Sequence, residues 1–314
     1  MQPSSTATGS GPGVVAHIQG GLGNQLFCYA AARALALRNG VPIRINTRDG
    51  FRREKYGRDC LLRHLCIEAP EAGWWAGFRG PLGRWRRSWA RRWNRARPLE
   101  QRSLLQEPAD QSFDPAIRDL AVRGPVYLVG YWQHEEYFAD AAATLREEFR
   151  VRSPEVARAA GEVAAIDPGS DAVSLHCRSY GEVTNLKDGI RLGAEYYAKA
   201  LDAIAERVPG AQVFCFSDDP AWAQDLLESA ARPGAKGGAL PVTFISTPAE
   251  DATRATLIDF TLMSRCKHHV VANSSFSWWT AWLGEQGDSV VVAPATGLLA
   301  DGARFPERWI KVEA

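Results

Sequence analysis

Three strand-like runs in this 314-residue chain end on polar side chains that could do chemistry. Ser174-Leu175-His176-Cys177-Arg178-Ser179-Tyr180 closes one run with a histidine and an arginine. The planar fork of an arginine at such an end can hold two oxygens of a phosphate. The alternative is a surface Arg178 beside a core His176. Phe214-Cys215-Phe216-Ser217-Asp218-Asp219-Pro220 puts two acids after a second run. Asp219 before a proline fits the cap of the next helix. Asp218 either shares that duty or accepts hydrogen bonds from a nucleotide base or ribose. Two adjacent acids match the acid–any–acid metal motif of sugar-nucleotide enzymes poorly. Ala272-Asn273-Ser274-Ser275-Phe276-Ser277-Trp278-Trp279 runs a third strand through hydroxyl residues into a helix. Free N–H groups at that helix start, with the serine hydroxyls, make an anion site suited to a diphosphate; plain N-capping by serine is the alternative. Trp278, Trp279 and Trp282 recur at helical spacing and read as core packing rather than a stacking platform.

A fourth feature, Gly20-Gly21-Leu22-Gly23-Asn24-Gln25, follows the first strand-like run. Its G-G-x-G spacing fails the dinucleotide fingerprint G-x-G-x-x-G. A glycine turn still lets a ligand approach the backbone closely, with Asn24 and Gln25 expected to point amides into a cleft. Each signal is weak alone. Together they describe a diphosphate held by one arginine and one helix N-terminus, between two domains.

The elements that must position these residues alternate. Val14–Gln19 reads as a strand, an Ala/Leu-rich helix runs to Asn39 with Gly40 as its stop, and 41–45 is the next strand. Residues 50–125 have weak periodicity, 126–132 regain strand character, and 135–149 read as a helix. From residue 171, strands Ala172–Cys177, Gln212–Phe216, Val242–Ile245, His269–Ala272 and Ser289–Ala293 alternate with helices Ala194–Arg207, Ala221–Ala231, Ala252–Cys266 and Ser277–Glu285. Such alternation predicts doubly wound parallel sheets, whose ligands sit beyond the strands' carboxyl ends. The expected organisation is a flexible tail (1–13), an N-terminal domain (14–155) that includes the Trp/Arg-rich stretch 72–99, and a C-terminal domain (156–314), the break lying where Pro154, Pro168 and Gly169 interrupt the pattern.

Thirty-seven Lys+Arg against thirty-six Asp+Glu leave a formal +1, which argues against a whole-chain nucleic-acid binder. No apolar run approaches the ~18 residues that span a bilayer. The start MQPSSTATGSGPG has neither the basic nor the apolar region of a secretory signal, so a cytoplasmic protein with reduced thiols is expected. Its six cysteines lack framework spacing. Cys60, His64 and Cys66 could supply three zinc ligands, but no second pair stands near to complete a structural site. Eleven tryptophans are many for this length, and residues 72–99 hold five of them, with eight arginines and no acid. Wound as a helix, Leu82, Trp85, Trp89, Trp93 and Ala96 share one narrow face. A basic amphipathic helix of this kind suits an anionic membrane surface; alternatively its tryptophans pack on the domain and its arginines are simply solvated.

Gly20–Leu26, Tyr131-Trp132-Gln133 with Tyr137-Phe138, the His176/Arg178 strand end, Phe216–Pro220, Leu262-Met263-Ser264-Arg265-Cys266-Lys267 and Ala272–Leu283 closely resemble, in the same order, the bacterial α-1,2-fucosyltransferases of glycosyltransferase family 11. The resemblance runs from about residue 14 to the end and is interrupted by the variable middle. It implies a GT-B-like α/β fold of two Rossmann-like domains facing a cleft, the N-terminal one (14–155) on the acceptor side and the C-terminal one (156–314) binding the GDP-sugar. It also implies inverting, metal-independent transfer of fucose from GDP-fucose to the 2-hydroxyl of a galactoside, with no further cofactor. By the same resemblance, Arg178 neutralises the β-phosphate of leaving GDP and His176 positions that arginine or contacts the donor. Asp218 lies near the guanosine, Asn273, Ser274, Ser275 and Phe276 line the diphosphate, and Gly21, Gly23 and Asn24 face the reacting sugar. Members that build surface polysaccharides use lipid-linked acceptors at the inner membrane, which fits peripheral attachment there.

One motif departs. The family's His-x-Arg-Arg-x-Asp reads here His176-Cys177-Arg178-Ser179-Tyr180-Gly181, with Glu182 one place beyond the usual acid. Protein O-fucosyltransferases, more distant relatives, keep only His-x-Arg, so the role of Arg178 survives while donor identity opens to other GDP-deoxyhexoses. A general base is required for the acceptor hydroxyl, and Glu182, Asp218 and a substrate-assisted route all stay open. The rivals are a noncatalytic GDP-sugar or glycan-binding protein and, at the level of fold alone, an NAD-dependent oxidoreductase, which the glycine spacing disfavours.

Overall fold

The computed structural model describes residues 11–52, 57–73, 80–181, 190–231, 240–247, 251–295 and 305–314. The chain divides into two compact units: one of residues 1–62 and 67–148, the other of residues 63–66 and 149–314. The break thus falls at Glu148/Phe149, before the expected 155/156. Residues 63–66 join the second unit because Leu65 bridges to Val151, and Cys66 N–H and Arg152 N–H donate to the Arg150 and His64 carbonyls.

Unit 1 is built on a parallel four-stranded sheet: β1 (Gly13–His17), β2 (Ile43–Asn46), β3 (Leu104–Gln106) and β4 (Pro125–Val129), in the order β2-β1-β4-β3. β1 is central and buried along its whole length, as its apolar run requires. The expected tail 1–13 is shortened, since Gly13 already pairs with Pro125 of β4; residues 1–10 lie outside the described residues. Helix α1 (Leu22–Arg38) is apolar nearly all round and accordingly buried nearly all round. It stops where Gly40 takes φ +60°, and Asn39 ties its end to the Leu120 carbonyl and the Val122 amide.

The expected helix over 135–149 is shorter. Two 3-10 turns, Glu135–Tyr137 and Ala139–Ala141, precede a helix that begins only at Ala142 and runs to Glu148. Phe138, at φ −142°, breaks the helical path between them. The weakly periodic middle hides β3, helix α2 (Gly80–Arg95) and the single turn α3 (Pro115–Arg118). With Ala142–Glu148 as α4, the next helix is α5 (Pro154–Val163). It lies where the sequence pattern is interrupted and the domain break is expected, started by Ser153, whose hydroxyl accepts from the Val156 amide.

Unit 2 holds a parallel sheet of six strands: β5 (Ala172–Cys177), β6 (Gln212–Ser217), β7 (Val242–Phe244), β8 (His268–Val270), β9 (Val291–Pro294) and β10 (Ile310–Val312), ordered β10-β9-β8-β5-β6-β7. Helices α6 (Ala194–Arg207), α7 (Pro220–Ala230), α8 (Ala252–Arg265) and α9 (Ser275–Gly284) alternate with them, close to the expected spans. The strands run outward from β5 through β6 to β7, then the chain crosses back to β8 on the other side of β5. The β5/β8 boundary is therefore the topological switch point, where a ligand crevice opens beyond the strand ends.

Candidate active site

The polar residues singled out in the second half of the sequence converge on that switch point. β5 delivers His176 and then Arg178, β6 delivers Asp218 one residue past its end, and β8 leads through Asn273 into α9. The Arg178 guanidinium forms a 2.7 Å ion pair with Asp218. Asp218 also accepts from the Ser179 amide at 2.7 Å, the Ser179 hydroxyl at 2.7 Å and the Tyr180 amide at 3.2 Å. Burial pushes the Asp218 carboxyl up, but the Ser179 amide, the Arg178 charge and the Ser179 hydroxyl outweigh it and hold the group below the usual carboxylate range. Asp218 therefore stays ionised and holds Arg178 and the β5 turn.

Tyr180 was not singled out from the sequence, yet it ties the two sides of the switch point. Its backbone is in the left-handed region at φ +57°. Its ring lies under the Arg178 guanidinium, 5.0 Å from the centroid, and its hydroxyl donates to the Asn273 carbonyl. Arg178 is thus held by a carboxylate and by an aromatic face at once. A guanidinium has five N–H donors, so pairing with Asp218 through one edge is compatible with a phosphate on another.

His176 is buried, 6.0 Å from the Phe276 ring, which in turn lies 5.8 Å from Phe260. Burial, then the Arg178 charge, lower its pKa to about 3, against a smaller upward pull from Asp218. It is a neutral imidazole, and among the described residues its Nδ1 has no hydrogen-bond partner. At α9 the Ser274 hydroxyl caps the helix by accepting from the Phe276 amide, and Ser274, Ser275 and Phe276 are half-buried. The capping reading of Ser274 and the anion-site reading are thus compatible, because a helix start carries more orphan N–H groups than one hydroxyl satisfies. Asn273 is buried, and its amide reaches the Ile190 carbonyl at 3.4 Å. Trp278, Trp279 and Trp282 are fully buried core residues. Glu182 lies outside the described residues.

Asp259 on α8 was also missed. Burial raises its pKa against the Thr247 hydroxyl, which donates to it at 2.5 Å. Asp219 caps α7 through the Trp222 amide, as its place before a proline suggests. Among the described residues no three His, Cys, Asp or Glu side chains are grouped so as to hold a metal ion.

In unit 1 the glycine turn follows β1, with Gly20 at φ +78° and Gly21 as the N-cap of α1. Gly23, Asn24 and Gln25 therefore belong to the first turn of the helix. Asn24 Oδ1 accepts from the Gln133 side chain at 2.9 Å. Gln25 must be corrected: its amide is buried, donates to the Gly20 and Asp59 carbonyls, and accepts from the Leu61 amide. It braces the loop and has no amide to spare for a ligand. Near Asn24, the expected strand 126–132 ends at Val129. There the Glu107 carboxylate accepts from the Tyr131 and Trp132 amides, both at 2.7 Å, and turns the chain, with Trp132 at φ +58°. Only glycine fits at position 130, because a Cβ there would sit 2.4 Å from Glu107 Cβ.

The sequence matches Glycosyl transferase family 11 over residues 112–313. It is similar along nearly its whole length to an alpha-1,2-colitosyltransferase of Escherichia coli, 27% identical over 96% of this chain and 99% of that one. The O-antigen biosynthesis glycosyltransferase WbnK of Escherichia coli is 36% identical over 40% of this chain and 38% of its own. Among solved structures, a mutant of Arabidopsis thaliana FUT1 in complex with GDP aligns at a TM-score of 0.54 and 13% identity, covering 90% of this chain and 70% of that one. That likeness shows a shared GT-B-like α/β fold.

Proposed function

This chain belongs to glycosyl transferase family 11, and from that premise we propose that it transfers L-fucose from GDP-fucose to the 2-hydroxyl of a galactoside, with inversion and without a metal. The observation that carries the reading is Arg178, fixed by Asp218 and Tyr180 at the switch point where α9 also begins. The acceptor oxygen attacks the anomeric carbon as the bond from that carbon to the β-phosphate oxygen breaks. GDP leaves with the bonding pair, and the acceptor proton passes to a base. Charge builds on the β-phosphate, and Arg178 with the α9 N-terminus stabilises it in place of a metal cation. Neutral His176 offers a nitrogen to the donor without adding charge. Asn24, whose Oδ1 accepts from the Gln133 side chain, is assigned to acceptor binding by the family resemblance.

Arg178→Ala is expected to lower kcat/KM by about 10³-fold, in the range of a lost leaving-group stabiliser, with an unchanged circular dichroism spectrum. Turnover within a few-fold of the parent would sink the assignment. Activity is expected to persist in EDTA.

A second donor is favoured by a specific observation: the relative matched along nearly its whole length is named for colitosyl transfer, and Ser179 and Gly181 stand where the family motif has its second arginine and its acid. Colitose is L-fucose without its 3-hydroxyl, so the two donors differ by one hydrogen-bonding group. GDP release measured with each donor and a panel of galactosides separates them. A site that hydrogen-bonds the 3-hydroxyl would reject the deoxy sugar strongly, and a preference for GDP-colitose would reassign the donor while keeping the chemistry. The O-antigen assignment of WbnK supports a surface-polysaccharide acceptor.

A further inference from the structure

Helix α2 presents three tryptophans that the fold does not use. Trp85, Trp89 and Trp93 are 59%, 45% and 52% exposed. Their rings adjoin along the helix, Trp85 tilted against Trp89 with centroids 5.2 Å apart and Trp89 stacked on Trp93 at 6.3 Å. The helix is fastened by a different face: Asn94 is buried and donates to the Leu104 carbonyl of β3 at 2.6 Å. At about 100° per residue, Asn94 lies roughly 140° around the helix from Trp89. The expected alternative, in which the stripe packs on its own domain, therefore fails. Ala96 is exposed beside the ladder, Arg92 is exposed on its flank, and the Arg97 guanidinium sits over the Trp93 ring at 5.0 Å.

We propose that α2 docks this protein on the surface of an anionic lipid bilayer, with Trp85, Trp89 and Trp93 at headgroup level and the exposed Arg91 and Arg92 paired with lipid phosphates. The choice of occupant follows from charge. Residues 72–99 carry eight arginines and no acid, so a second copy of the same helix would meet like charge. Taking those eight charges from the total of +1 leaves −7 for the rest of the chain, which a nucleic acid would oppose. Indole rings with an apolar body and one polar edge suit the bilayer interface. The helix, about 24 Å long at 1.5 Å per residue, lies in that plane and cannot cross; no helix among the described residues is long and apolar enough to span a membrane. The inference does not depend on which sugar is transferred.

The test is co-sedimentation of the full chain with vesicles of phosphatidylcholine alone or mixed with phosphatidylglycerol. Binding is expected to the mixed vesicles and to fall about tenfold or more when salt is raised to ~0.5 M. The triple variant Trp85→Ser/Trp89→Ser/Trp93→Ser is expected to lose binding about tenfold or more while releasing GDP normally with a water-soluble acceptor. Arg92→Glu is expected to weaken the mixed-vesicle arm only. The proposal is overturned if the parent ignores the mixed vesicles, if the triple variant binds as well as the parent, or if lipid-free sedimentation shows a dimer that the triple variant abolishes.

Discussion

Asp218 gathers donors from Arg178, Ser179 and Tyr180, so its charge is spent on orientation. Asp218→Asn keeps the shape but presents an amide to the guanidinium and frees Arg178 to turn. Expected is a fall in kcat of about 10- to 100-fold with a smaller change in donor KM; an unchanged kcat would show that Arg178 needs no orienter. Tyr180 separates two contributions. Tyr180→Phe keeps the ring under the guanidinium and loses the bond to Asn273, so donor KM should rise only a few-fold, whereas Tyr180→Leu loses both and should also lower kcat. Equal effects would mean that the ring does not hold Arg178. The sequence made Arg178, His176 and Ser274 legible because each stands at a strand end. It could not reveal that Asp218 pairs with a turn 39 residues away, because that depends on β5–β6 register. Gln25 misled for a related reason: its partners Asp59 and Leu61 lie in a loop whose path no periodicity records.

At the scale of elements, α9 matters because its start is the proposed diphosphate site and its end is wedged. A Cβ on Gly284 would come within 2.6 Å of the Cys266 carbonyl oxygen, 2.8 Å of His269 Nε2 and 2.9 Å of the Ser264 carbonyl oxygen. Gly284→Ala therefore forces α9 away from the end of α8 and should cost about 1–3 kcal/mol. In a unit of this size that lowers Tm by several degrees, roughly 2–4 °C per kcal/mol. Donor KM should rise with it, since the helix start moves with the helix; a normal Tm would show that the wedge relaxes elsewhere. α6 to α9 were readable because helical and strand periods alternate cleanly there. α5 was not, since Pro154, with Pro168 and Gly169 beyond it, reads as an interruption, although Ser153 followed by proline is a helix start. β3 escaped because its Leu104-Leu105-Gln106 is too short to show a period.

Over the whole molecule, acidity should act through unit 2, where two buried histidines are kept neutral. His176 is lowered to about 3 by burial and the Arg178 charge, with Asp218 opposing. His269 is lowered to about 3 by burial and by neighbouring His268, against a bond to the Cys266 backbone. Both folded values lie below the ordinary 6.5, so the unfolded chain binds protons first as pH falls. Stability is full above about pH 6.5 and is lost progressively toward pH 3, at roughly 1.4 kcal/mol per pH unit for each histidine. His268, lowered in the same direction, steepens the loss, and the depressed Asp218 carboxyl adds to it only below about pH 4. Melting temperatures measured from pH 7.5 to pH 4.5 should therefore fall, and His269→Gln should flatten that fall by about one proton's slope while leaving the GDP site in place. A pH-independent Tm, or a variant as acid-sensitive as the parent, would mean that these imidazoles find water or a partner in the folded state. The near-neutral total charge gave no hint of this sensitivity. Net charge counts groups, whereas acid stability depends on which of them the sheet at the switch point has taken out of water.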